Sequence, residues 1–163
     1  MVWGWVMGEE MGISAGEIQE LRQHHIGRLL LQAHRSFSER SIEKLRARGH
    51  AGLGLAHTQL LIHLDLEGTR ISTLAERAGV TKQAMGQLAD ELRVQGYVTK
   101  VTDPSDRRAT VVNFTDRGWQ FLRDAHFVKR EIEAEYVAIL GVGRWEGLNE
   151  ALELLIGRRE END

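Results

Sequence analysis

Thr81, Lys82, Gln83 and Gln87, followed by Arg107 and Arg108, place hydroxyl, ammonium, amide and guanidinium ends close together along the chain. Cations of this kind neutralise phosphates, and side-chain amides match the donor and acceptor pattern of base edges. Asp106 stands two residues before Arg108. Its carboxylate can accept loop amides and pair with Arg108, which would hold the guanidinium forward. A narrow minor groove has an enhanced negative potential and attracts such an arginine, and Arg107 could take an adjacent phosphate. The chain contains no nucleophile elbow, phosphate loop, HExxH or paired-carboxylate pattern. The chemistry on offer is recognition, and no enzyme activity is expected.

These residues need elements that aim them. Ile71, Leu74, Ala75 and Ala78 give a short helix one apolar face. Gly79 suits its end, Val80 plugs the angle, and Thr81 is a good N-cap for a second helix. So short a connection makes the helices cross steeply, as in a helix-turn-helix. A helical wheel of the second helix turns Ala84, Leu88, Leu92 and Gln95 to the core, with Thr81 and Met85 at the margins. Lys82, Gln83, Gly86, Asp90 and Arg93 face outward, with Gln87 on the flank. Gly86 costs ~1 kcal/mol relative to alanine inside a helix, and would let a base-pair edge approach closely. Residues 97–102 and 109–114 are rich in β-branched and aromatic residues and read as antiparallel strands. Pro104, the only proline, stiffens the loop between them.

The 163-residue chain has a formal net charge of −3. By segment, residues 1–67 carry −1, residues 68–118 carry +2 and residues 119–163 carry −4. Only the segment with the candidate residues is net positive. There is no cysteine, which rules out disulfide and thiol chemistry and suits a reducing cytoplasm. No apolar run reaches the roughly 18 residues of a membrane span. The start, MVWGWVMGEE, lacks a basic region, so a secretory signal is not expected.

The flanks read as helices. Residues 17–47 suggest one long first helix, with Ser14 and Glu17 as a capping box. A glycine-bearing loop ends it, and Thr58 to Leu66 form a short second helix. Thr69–Arg70 is a minimal strand. Thr115 caps a long helix to about Leu140, with Trp119, Leu122, Ala125, Val128, Ile132, Tyr136 and Ile139 along one side. Gly141 and Gly143 break it before a last helix striped by Trp145, Leu148, Leu152 and Leu155. Apolar helices at both ends of so short a chain have little to cover them, which points to a homodimer. His24, His25, His34, His57, His63 and His126 show no tight metal-ligand spacing, and no metal site is assigned. His34, Phe37, His57 and Trp119 are candidates for lining an organic-ligand pocket.

The runs TLAERAGVTKQAMGQLADELRVQGYV and DPSDRRATVVNFTDRG resemble the DNA-binding core of the MarR family of winged helix-turn-helix transcription regulators. The family's wing signature is Asp-x-Arg, a strand ending in Leu-Thr, then Gly. Here it reads Asp106-Arg107-Arg108, Phe114-Thr115 and Gly118, with phenylalanine for leucine. The resemblance implies a mainly α fold with a small β-wing (α+β). Residues 1–16 are read as a flexible arm and 17–157 as a single domain, with 158–163 a charged tail. Within the domain, 17–47 and 115–157 are dimerisation helices and 55–114 is the winged lobe. The resemblance further implies a homodimer on a palindromic site in double-stranded DNA, with Thr81, Lys82, Gln83 and Gln87 in the major groove and Arg108 in the minor groove. It also implies a small aromatic or phenolic effector, no other cofactor, and repression as the commoner outcome. The alternatives are a protein-binding adaptor without DNA contacts and a metal-responsive regulator.

Overall fold

A computed structural model describes residues 25–160 and, before them, Ser14, Gly16, Ile18 and Gln19, with side chains described to Gly157. Most of the expected arm, the capping partner Glu17 and residues 161–163 of the expected tail lie outside the described residues. Internal contacts group the chain into two units, residues 1–37 and residues 38–163.

In the first unit Gly16, Ile18 and Gln19 are helical, but His25 is not. Helix α1 (Ile26–Ala47) begins there, with the Arg28 and Leu29 amides donating to the His25 carbonyl at 3.0 and 3.4 Å. The helix expected to run unbroken over 17–47 is therefore interrupted at His25. Histidine is an indifferent helix former and Gly27, two residues on, is a poor one. Leu29, Leu30 and Leu31 are all exposed.

The second unit holds the remaining elements: α2 (Leu55–His63), β1 (Thr69–Arg70), α3 (Ile71–Ala78), α4 (Lys82–Val94), β2 (Val98–Thr102), β3 (Thr110–Phe114), α5 (Asp116–Leu140) and α6 (Val142–Glu160). Helix α2 starts three residues before the expected Thr58. The Gly54 amide donates to His57 Nδ1 at 3.1 Å, so a histidine side chain caps it. The sheet is antiparallel in the order β1-β3-β2, with Val98 opposite Phe114 and Thr69 opposite Val112. Helices α2, α3 and α4 pack on one another, and α3 and α4 also pack on this sheet. Leu60, Leu61, Leu74, Met85, Leu92 and Val112 form the fully buried centre.

Helix α5 is capped by Thr115, whose Oγ1 accepts the Gly118 amide at 3.1 Å and donates to the Gly96 carbonyl at 2.6 Å. Gly118 is pressed against the Tyr97 carbonyl. That contact turns Phe121, with Val128 and Ile132, inward and leaves Trp119 and Ile139, expected along the same side as Val128 and Ile132, exposed. The α5–α6 break falls at Gly141 alone, because Gly143 is already helical. Lys44 pairs with Glu131 and Glu135, Arg40 with Glu135 and Arg48 with Glu131, joining the end of α1 to α5. Exposed pairs of this kind each add little to stability. Among the described residues no helix is long and apolar enough to cross a membrane.

Candidate nucleic-acid interface

The turn between α3 and α4 forms by local chemistry. Gly79 adopts φ +65°, a left-handed conformation open to glycine at little cost. Its amide reaches the Glu76 carbonyl at 3.1 Å and the Val80 amide reaches Ala75 at 3.0 Å. Thr81 is extended, and its Oγ1 accepts the Ala84 amide at 3.1 Å. Helix α4 thus starts at Lys82 with one of its unpaired amides satisfied.

The wheel expected for α4 is turned from the observed one. Met85, Ala89 and Leu92 are buried, Leu88 is half-buried and Ala84 is exposed. Alanine constrains a wheel weakly, and the packing of Met85 settles the phase. Thr81, Lys82, Gln83 and Gln87 are nonetheless all exposed. A Cβ built on Gly86 meets no atom within 4 Å, so nothing inside the fold demands glycine there. Gln83, Gly86 and Gln87 line an open groove that continues past Asp90 and Glu91 to Val94. Asp90 lies 3.0 Å from Lys100 Nζ and 3.5 Å from Arg93 Nε, and the Lys100 ammonium holds its carboxyl below the usual range. Glu91 takes His57 Nε2 at 2.8 Å on one oxygen and Gln87 Nε2 at 3.3 Å on the other.

The wing loop is anchored by a residue that the sequence reading passed over. Asp103 is buried. It accepts the Ser105 amide and hydroxyl, each at 2.7 Å, and Arg70 Nε at 2.6 Å. These bonds, led by the Ser105 hydroxyl, hold its carboxyl far below the ordinary value of 3.8. Arg70 Nη2 also donates to Ser105 Oγ at 3.0 Å, tying β1 to the loop. Beyond this anchor Asp106 Oδ1 accepts the Arg108 amide at 3.0 Å and lies 3.4 Å from Arg108 Nε. The Arg108 side chain remains 93% exposed. Arg107 beside it is also exposed. A carboxylate with a depressed pKa stabilises the fold above its unfolded value near 4 and loses that contribution as pH falls through the folded value. The wing should therefore keep its anchor well below pH 4. The Ser105 amide resonance, followed in a pH titration, should stay in place from pH 7 to pH 3; Arg70→Ala should move its midpoint upward.

His34 and Phe37 lie in the first unit, His34 exposed and Phe37 half-buried. In the second, Trp119 packs on Phe114 with ring centroids 5.8 Å apart, and both His57 ring nitrogens are hydrogen-bonded. Among the described residues no three His, Asp or Glu side chains gather as a metal site. His50, passed over in the sequence, is 3% exposed. It joins Tyr97 Oη at 2.8 Å to Asp124 Oδ2 at 3.1 Å, linking the α1–α2 loop, the wing and α5. Its partners lie 47 and 74 residues away, beyond any local pattern.

A helix pair joined by a tight glycine turn and followed by an anchored β-hairpin defines a winged helix-turn-helix protein. Residues 51–109 match the model of the MarR family. Search of the curated proteins gives no match. Solved structures do match. The transcriptional regulator BldR from Sulfolobus solfataricus is 26% identical, with 87% of this chain and 98% of that one covered and a TM-score of 0.63. Apo MarR from E. coli is 19% identical over 81% and 97%, with a TM-score of 0.69. The PcaV transcriptional regulator from Streptomyces coelicolor, solved with its natural ligand, is 21% identical over 84% and 94%, with a TM-score of 0.59. The winged lobe thus matches the MarR family model, and the chain has the fold of these solved regulators.

Proposed function

We infer that the protein is a DNA-binding transcriptional repressor that acts as a homodimer on a palindromic operator. The observation that carries this is the shared exposure of the α4 start and the wing tip. Lys82, Gln83 and Gln87 stand on the open face of α4, and Arg108 projects from a loop held by Asp103 and Asp106. Helix α4 is suited to a major groove, with Thr81, Lys82, Gln83 and Gln87 against base edges and phosphates. Arg108 then enters the adjacent minor groove and Arg107 takes a phosphate. The net charge of −3 does not oppose this, because charges more than roughly 8–10 Å away are screened.

Dimerisation rests on the apolar residues that α6 leaves uncovered, Leu154, Leu155 and Ile156 among them. Two copies of α4 engage successive major grooves when they lie ~34–36 Å apart. A small aromatic or phenolic effector that prefers another spacing weakens DNA binding by its differential affinity for the two states. A mobility-shift assay on the DNA upstream of the protein's own gene, together with random-site selection, tests the proposal. Salt-sensitive binding to a palindrome is expected, and its absence from both assays would refute the proposal. Arg108→Ala should weaken binding by about ten- to a hundredfold, the range for a charged hydrogen-bonding group. Lys82→Ala should reduce the salt slope by about one unit. Affinity unchanged in both variants would rule out this docking.

A further inference from the structure

The open face of α4 carries a carboxylate, Glu91, that would lie close to phosphates in the proposed complex. Repulsion argues against an acid in such a place unless it has a task. Glu91 has two partners inside the protein. His57 Nδ1 accepts the Gly54 amide at 3.1 Å, so the ring proton sits on Nε2, which donates to Glu91 Oε2 at 2.8 Å. The other oxygen, Oε1, accepts Gln87 Nε2 at 3.3 Å. A carboxylate only accepts hydrogen bonds, so the Gln87 amide must turn its NH2 toward Glu91. The Gln87 carbonyl oxygen and its second N–H remain for a ligand.

The geometry points to Glu91, braced by His57, as a positioning residue that makes Gln87 a reader of adenine. An amide that offers one acceptor and one donor matches adenine N6–H and N7 in the major groove. Guanine offers two acceptors, N7 and O6, and would need the NH2 that Glu91 holds back. Purine choice at this base pair is thus set one turn along the helix from the residue that touches the base. The brace continues through His57 to the backbone of Gly54, at the foot of α2. This inference rests on the docking proposed above, and the same experiment separates the two.

Random-site selection should first return one adenine-requiring position in each half-site, and Gln87→Ala should abolish that requirement. Glu91→Gln keeps size and shape but can donate as well as accept, so it frees the Gln87 amide to flip. In that variant adenine-over-guanine discrimination at this position should fall roughly tenfold, within the range of one bidentate base contact. The preference at other positions and the melting temperature should stay as in the unaltered protein. His57→Phe should produce a smaller loss at the same position. In the double variant Q87A/E91Q, the second change should add nothing to the first. A strict adenine preference retained in Glu91→Gln, alongside its loss in Gln87→Ala, would overturn the positioning role and leave the docking intact. A selection with no base preference that responds to Gln87 would overturn the inference too. Absence of any salt-sensitive binding would instead remove the docking on which both stand.

Discussion

Gly118→Ala should destabilise the protein by about 3 kcal/mol, the upper part of the range for overpacking a core. A Cβ at this position lies 2.3 Å from the Tyr97 carbonyl oxygen and 2.8 Å from Phe114 Cδ1. The ring of Phe114 can shift, but the carbonyl belongs to the backbone. It also accepts the Thr115 amide at 3.1 Å, so it cannot turn aside without losing that bond. Relief requires the first turn of α5 to lift off the wing, which breaks the Thr115 cap and its bond to Gly96. Against a total of roughly 5–15 kcal/mol for a native domain, such a loss should lower the melting temperature by about 10 °C. Thermal unfolding followed by circular dichroism measures it, and a melting temperature within 2–3 °C of the parent, a shift worth about 1 kcal/mol or less, would contradict the packing described. Gly86→Ala is the useful contrast. Its Cβ enters open space, and alanine is the better helix former by ~1 kcal/mol. Stability should rise while operator affinity falls, because the added methyl stands where a base edge would approach. Unchanged affinity would remove Gly86 from the contact.

The second large effect concerns α6. Leu148→Glu combined with Leu155→Glu should leave the fold standing and abolish dimerisation. Both leucines are exposed within one chain, Leu155 at 61%. Charging them costs a monomer little, but in the proposed dimer it buries unpaired carboxylates at the interface. Loss of the second lobe removes the tethering advantage of two half-sites, typically 10²–10⁴-fold. Operator affinity should therefore drop about a hundredfold or more, while far-ultraviolet dichroism is retained. Sedimentation velocity would show the change from dimer to monomer. A variant that sediments like its parent would exclude this face of α6 from the interface.

The parts of the molecule that were legible in the sequence are those fixed by neighbours in the chain. Gly79, Thr81 and Thr115 act within four residues of themselves, through a left-handed turn and two side-chain caps, and all three were visible as residue types at the right spacing. The Asp106–Arg108 contact is equally local. What escaped depends on distant partners or on subtle phase. The anchoring role of Asp103 has no local signal because Arg70, which pairs with it, is 33 residues away. The brace from His57 to Glu91 spans 34 residues and joins two helices. On α4 the small side chains Ala84 and Ala89 left the wheel free to slip, and only the burial of Met85 fixed it. His25 interrupts the first helix where histidines and a glycine follow one another, a local weakness that the broad apolar pattern concealed.

One feature of the fold has a mechanical meaning. Helix α5 runs for 25 residues, a rod of ~37 Å at 1.5 Å per residue. Its foot is clamped to the wing at three points: the Thr115 hydroxyl on Gly96, Gly118 against Tyr97, and Asp124 through His50 to the Tyr97 hydroxyl. Tyr97 is the residue that leads from the end of α4 into β2, so the clamp grips α4 by its trailing end. The rod and the winged lobe should turn together as a crank. A swing of about 5° about the far end of such a rod carries the lobe roughly 3 Å, a large fraction of the rise between neighbouring base pairs. In the proposed dimer, a ligand acting on the distal half of α5 would thus need no path of altered contacts to reach α4, because leverage alone would misalign the two lobes.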